Sequence, residues 1–318
     1  MASPQHPIGS GFGPSSTAAD VLAGADLSDR FAIVTGGSSG IGLATARALH
    51  TAGAAVVVPV RDRSKATRAL AGLYRVEIED LDLTDPVSID AFAERYRATG
   101  RPLHMLVNSA GVTAAPLTRD ARGYELHLST NHLGHFQLVR RLWPALRPAG
   151  GTRVVSVSSW GHRYSHVVFD DLQFARRPYD RWAAYGQSKT ANILFASALN
   201  DRGIQAFSLH PGSIVTALAR FLGLDELRTM GVLDDAGDPI LDPARGMKTP
   251  EQAAATQVWC ATSPQLTGLG GVYCENVDIA PLSSEAGSPA TTHGVMPYAV
   301  DSEAAAHLWE VSERLVAG

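Results

Sequence analysis

Tyr185 and Lys189 stand four residues apart in the run AAYGQSKTANILFASALN, which has the composition of a good helix. Four residues make about one helical turn, so the phenol and the ammonium share a face. A free tyrosine titrates near pH ~10, too high for acid–base work at neutral pH, and an adjacent ammonium stabilises the phenolate and lowers that value. So paired, Tyr185 can exchange a proton with a carbonyl or alcohol oxygen. Lys189 can also donate hydrogen bonds to a bound ligand. Such pairs arise by chance in many helices, so the rest of the chain decides.

Other residues point the same way. In V-S158-S159-W-G a serine ends a β-branched run and faces the crevice beyond the strands, where Ser159 can polarise a substrate oxygen. Asn131, in T-N-H-L-G-H-F, is mildly unfavourable in mid-helix and is therefore a surface residue or has a buried partner. In TGGSSGIGLATARAL, Gly36, Gly40 and Gly42 sit with Ser38, Ser39 and Ile41 between an apolar strand and an Ala-rich helix. Missing Cβ atoms there let backbone approach a pyrophosphate, and the helix offers free N–H groups and a positive dipole end. The second strand ends in Val60, where an acid would grip a ribose 2′-hydroxyl, and Arg61, Arg63 and Lys65 follow. That exchange favours a 2′-phosphate, hence NADP(H) over NAD(H). Asp82 and Leu83 end the third strand, where a carboxylate can accept from an adenine amino group. The run from Asn108 through Ala110 to Gly111 ends the fourth strand, and Pro211, Gly212, Ile214 and Thr216 follow the sixth.

The elements that must position these residues alternate. Strand candidates are 31–35, 55–60, 74–78, 103–108, 153–158 and 204–210, with a further strand at 271–276. Between them lie helical patterns, including a long one from about Asp120 to Leu146 that carries Asn131 and one that carries Tyr185; a last helix follows from Ser302. Strands alternating with helices predict an α/β fold, a Rossmann-type doubly wound parallel sheet covered on both faces. Residues 1–25 read as an extended N-terminal arm and 26–318 as one domain. Glycines and prolines at 213–250 mark a lid-like insertion, with Phe221, Leu222, Leu224, Leu227, Met230 and Val232 as its apolar roof.

Bulk properties exclude several classes. The chain has 318 residues, 45% of them hydrophobic and 18% charged, as expected of a globular protein. A net charge of −4 offers no basic field for nucleic acid. Two cysteines, Cys260 and Cys274, are too few for a disulfide framework and read as reduced thiols. The first residues carry neither a signal-peptide pattern nor an apolar run that spans a bilayer, so the expectation is a cytoplasmic protein without a membrane anchor. His132, His135, His162 and His166 lack completing acids or cysteines, so no metal site is expected and they read as surface or cap residues. No G-x-S-x-G elbow surrounds Ser159, which argues against a serine hydrolase.

TGGSSGIG, NSAG, Asn131, Ser159, YGQSK and HPGSIVT together resemble the short-chain dehydrogenase/reductase family over nearly the whole chain from about residue 20. NHLGHF, SSWGHR, SKTANILF and GLGGVYCENVDIA further resemble its retinol dehydrogenase and WW-domain-containing oxidoreductase branch. The resemblance implies Tyr185 as proton donor or acceptor, Lys189 as its electrostatic partner, Ser159 as the ligand of the substrate oxygen, and Asn131 holding a water of a proton relay. It implies Gly36, Gly40, Ile41 and Gly42 at the cofactor phosphates, Asp82 at the adenine, Asn108 and Ala110 beside the ribose, and Ile214 and Thr216 at the carboxamide. Ser109 departs from the family's usual second asparagine. The resemblance implies a small-molecule alcohol or carbonyl substrate and allows a homo-oligomer, and the apolar roof at 213–250 adds the expectation that the substrate is bulky and largely apolar. The rival reading is a cofactor-binding sensor or scaffold with the same fold and little turnover; a degenerate tetrad would support it, and all four members are present.

Overall fold

The computed structural model describes residues 5–214, 216, 220–283 and 293–317. In chain order its strands are β1 (Phe31–Thr35), β2 (Ala55–Val60), β3 (Val76–Asp80), β4 (Met105–Asn108), β5 (Arg153–Val157), β6 (Gln205–His210), β7 (Tyr273–Glu275) and β8 (Asp278–Ile279). The α-helices are α1 (Ala18–Val21), α2 (Gly40–Thr51), α3 (Arg63–Ala69), α4 (Pro86–Ala98), α5 (Gly134–Leu146), α6 (Arg181–Asn200), α7 (Leu224–Thr229), α8 (Pro250–Thr262) and α9 (Ser302–Ala317). The sheet order is β3-β2-β1-β4-β5-β6-β7-β8, parallel up to β7, with β8 antiparallel to it. The order reverses between β1 and β4, and crevices for ligands open at the carboxyl ends there.

Strand sequences without polar alternation fit this placement, because both faces are covered. Ile33, Leu106, Val154 and Ala206 face a core shared with α4, α5, α6 and α9. Val34, Val107, Val155 and Phe207 face the opposite core, built with α2 and α8. The doubly wound α/β fold expected from the sequence is the one observed.

Some boundaries differ. The third strand runs over Val76–Asp80 instead of 74–78. It is an edge strand with an exposed Tyr74, so pairing of Val56 with Val76, and not apolar pattern, sets where it begins. The long helix does not begin near Asp120. Residues 120–124 form a turn held by Asp120, which accepts from Arg122 and Tyr124 backbone N–H, and helix starts at Leu126. Gln5 of the arm donates to the Tyr273 and Ala280 carbonyls, and Asp278 accepts from the Ile8, Gly9 and Ser10 N–H groups. The arm thus lies along the last strands and covers an otherwise open edge. The insertion is pinched at its base, where Ser213 N–H donates to Gly246 and Lys248 N–H to Ser213. Its helix α7 is clasped to the start of α6 by Arg181 and Glu226, 2.6 Å apart.

Candidate active site

Helix α6 starts cleanly because Asp180 caps it, accepting from Ala183 N–H at 2.6 Å. Nearly all of its next four turns are buried, which fixes both Tyr185 and Lys189. Lys189 Nζ donates to the Val157 carbonyl at 2.9 Å and lies 5.7 Å from the Tyr185 ring centre. Burial pushes the Lys189 ammonium down to about 8. Burial likewise pushes the Tyr185 phenol up, against the opposing effect of hydrogen bonds with Ser159 and Thr113. The expected lowering of the tyrosine by Lys189 is therefore corrected in this state. The ammonium is turned to a carbonyl, and desolvation of the phenol dominates.

Ser159 follows β5 and caps a 3-10 turn, Trp160–Tyr164, by accepting from Gly161 N–H at 3.0 Å. Gly161 has to be glycine, since a Cβ there would lie 2.7 Å from the Tyr185 ring. Ser158 points the other way and donates to the Lys189 carbonyl at 2.7 Å. Asn131 has the buried partners that one reading of its position required. Its Oδ1 accepts from Val112 N–H at 2.8 Å, and its Nδ2 donates to Val112 O and Ser188 Oγ. It sits in a widened π turn, Leu128–Leu133, a distortion that recurs at functional sites.

A groove of about 660 Å³ runs across the switch point. Of the residues expected to hold a cofactor, all line it except Asn108 and Arg63. Asn108 is buried, and neither its oxygen nor its nitrogen has a hydrogen-bond partner among the described residues. The adjacent Ser109, Ala110 and Gly111 form the wall instead, a correction for a strand whose side chains alternate in direction. The glycine turn is built for its own tightness. A Cβ on Gly42 would lie 2.4 Å from Gly36 O, and one on Gly36 2.9 Å from Ala110 Cα. Ser39, the N-cap of α2, makes no side-chain cap bond, so first-turn N–H groups stay open to an anion. At the far end stand Arg61 and Lys65, whereas Arg63 turns away to Asp80 at 3.4 Å. Arg220 joins them; burial and the charge of Arg61 push its guanidinium down. These donors and this opening fit a phosphorylated dinucleotide.

A second cavity, about 270 Å³, adjoins the groove. Leu222, Leu227, Met230 and Val232 of the insertion line it with Trp160 and Trp182. Phe221 and Leu224 do not; both are exposed. Ser159, Tyr185, His210, Gly212 and Ile214 border both spaces.

The sequence reading missed several supports. His127 Nδ1 meets Glu125 Oε1 at 2.7 Å, and its Nε2 accepts from Ala115 N–H at 3.2 Å, fixing the loop that carries Thr113. Three of the four paired histidines are not surface residues. His132 is buried against Ser312, His135 between Thr35 and the Asn131 carbonyl, and His162 between Ser159 O and Met296 N–H, while His166 is exposed. Among the described residues no group of acids, cysteines and histidines could hold a metal ion, and both cysteines are free and buried. No helix among them is long and apolar enough to cross a membrane.

The family model for short chain dehydrogenase matches residues 30–226. The chain is a short-chain dehydrogenase. This short-chain dehydrogenase is 45% identical over 294 residues to a probable oxidoreductase of Streptomyces lividans, covering 90% of this chain and 97% of that one. It is 37% identical over 317 residues to the WW domain-containing oxidoreductase of Danio rerio, covering 94% of this chain and 71% of that one. A solved short chain dehydrogenase of Burkholderia cenocepacia, in complex with NADP, aligns with TM-score 0.60 at 25% identity, covering 78% of this chain and 96% of that one. This short-chain dehydrogenase is thus an oxidoreductase of the branch that its late motifs resemble.

Proposed function

We propose that the protein is an NADP(H)-preferring oxidoreductase acting on a bulky, largely apolar ketone or the corresponding alcohol. One observation carries this reading: the hydroxyl-bearing residues Ser159 and Tyr185 stand on the border between the dinucleotide-shaped groove and the apolar cavity. A molecule in each space would meet at those hydroxyls. When bound, the nicotinamide supplies or takes the hydride at the substrate carbon.

The chain's own residues do the rest. Ser159 and Tyr185 hydrogen-bond the substrate oxygen and fix its distance to the hydride. With its phenol pushed up by burial, Tyr185 is the protonated acid at neutral pH and donates to the oxygen as a ketone is reduced. Lys189 stabilises the phenolate left behind and reaches the ribose; Asn131, tied to Val112 and Ser188, braces the route by which the proton is replaced. Arg61, Lys65 and Arg220 hold the 2′-phosphate, Gly36 to Gly42 the pyrophosphate, and Asp82 the adenine. Residues 213–250 act as the lid, and its apolar side chains exclude water.

The test is NADPH oxidation by the purified protein over a panel of ketones graded in size and charge. Turnover of bulky apolar ketones, and little of small charged ones, is expected. Tight NADPH binding without turnover of any ketone would favour the sensor reading.

A further inference from the structure

The cavity is not apolar throughout. Glu275 ends β7 and lines it, with Asn276 and His293 beside it. The carboxylate is more than nine-tenths buried. Its Oε1 accepts from Gly294 N–H at 2.7 Å and lies 3.5 Å from His293 Nδ1. Its Oε2 has no hydrogen-bond partner among the described residues. Lining the cavity, that oxygen is offered to a donor on a ligand there.

Its position is held firmly. Asn276 and Val277 both take left-handed backbone, with φ of 51° and 63°, to close the β7–β8 turn. For a β-branched residue that conformation is strained and persists only where its surroundings impose it. Lys248 Nζ fixes Asn276 through Oδ1 at 2.8 Å, leaving the Asn276 amide N–H groups free of that bond. Glu275 pairs with His210 on β6, and β6 pairs with β5, the strand that leads to Ser159. Two strand spacings separate Glu275 from the reacting end, roughly 10 Å.

We propose that Glu275 selects substrates carrying a hydroxyl group at that distance from the reacting carbonyl. The hydroxyl donates to Glu275 Oε2 and accepts from the Asn276 amide, so both wall groups are satisfied at once. The positively charged side chains of Lys248, Arg245 and Arg163 lie around the carboxylate, which disfavours an ammonium in the hydroxyl's place. The inference rests on the ketone-reductase reading above and adds the polar end of its substrate.

The test uses a perhydrophenanthrenone bearing, on the ring carbon farthest from the ketone, a hydroxyl, a methoxy or a hydrogen. Dissociation constants are measured calorimetrically with saturating NADP⁺, for the wild type and Glu275→Gln. Glutamine keeps the acceptor for Gly294 but presents an amide donor in place of Oε2. The wild type is expected to bind the hydroxyl compound about tenfold more tightly than the methoxy compound. In Glu275→Gln that ratio falls to about one, since methoxy then gains a donor, while the hydrogen compound binds as before. A purely structural role for Glu275 would weaken all three ligands alike. An unchanged ratio in the variant, or no preference in the wild type, overturns the inference. Failure of the reductase reading shows separately, as measurable binding without NADPH oxidation. Absence of binding by all three compounds overturns both.

Discussion

His127 Nδ1 lies 2.7 Å from Glu125 Oε1, and both side chains are fully buried behind the Tyr185 ring, whose centre is 6.1 Å from that of His127. Burial pushes the Glu125 carboxyl up, but the hydrogen bonds from the His127 ring and from the His127 and Leu128 N–H groups outweigh it and hold the group low. Glu125 also accepts from the His127 and Leu128 N–H groups, so it ties the start of the helix to the Thr113 loop. Glu125→Ala is expected to lower stability by about 3–5 kcal/mol, the cost of stranding buried partners. Glu125→Gln keeps the acceptor and should lose far less. Urea unfolding of both variants checks this, and equal losses would show that geometry is not what Glu125 supplies.

Tyr185→Phe removes the proposed proton donor and leaves helix packing intact. A fall in kcat of about 10²–10⁴ is expected, with NADPH affinity nearly unchanged. Lys189→Met should impair both turnover and cofactor binding. Steady-state kinetics and fluorescence titration separate the two effects, and near-normal kcat in Tyr185→Phe would remove this tyrosine from the mechanism.

Arg61, Lys65 and Arg220 line the end of the groove expected to take a 2′-phosphate. One charge-assisted hydrogen bond contributes about 1.5–3 kcal/mol, with the lower end expected where the side chain is exposed, as Arg61 is. NADPH should therefore bind at least about tenfold more tightly than NADH at low salt, with the gap narrowing as salt rises. Arg61→Ala and Arg220→Ala should each narrow it further. Val60 lines the same groove, so Val60→Asp combined with Arg61→Ala should reverse the preference by adding repulsion as well as removing attraction. Equal titration curves for the two reduced cofactors would refute the preference.

Acid should destabilise the protein well before its carboxylates titrate. Burial pushes His132 and His210 down to about 3, and His135 and His162 to about 4, from an ordinary 6.5. Below pH 6.5 the unfolded chain takes up protons that the native protein refuses, so stability falls as pH falls from 6.5 towards 4. Four such groups give a slope of up to about 5 kcal/mol per pH unit. Urea midpoints at successive pH values measure it. A flat profile across that window would mean that the native protein accepts these protons.

The α/β alternation, the glycine turn, and the Tyr185–Lys189 spacing were legible in the sequence because each is local. Apolar runs, a turn without Cβ atoms and one helical turn all act within a few residues. Pairing across the fold is not local, and only the tertiary structure decided it. Asn131 meets Val112, and His127 meets Ala115, through loops whose conformation no periodicity encodes. Arg220 reaches the groove from an insertion without strand or heptad pattern, and Arg63, adjacent in sequence to the groove residues, turns away from it. Glu275 looked like an ordinary strand residue; strand order set it beside His210, within reach of the cavity. Even the electrostatics changed sign at this level. The spacing alone implied a lowered tyrosine, but burial, which belongs to the whole fold, raised it.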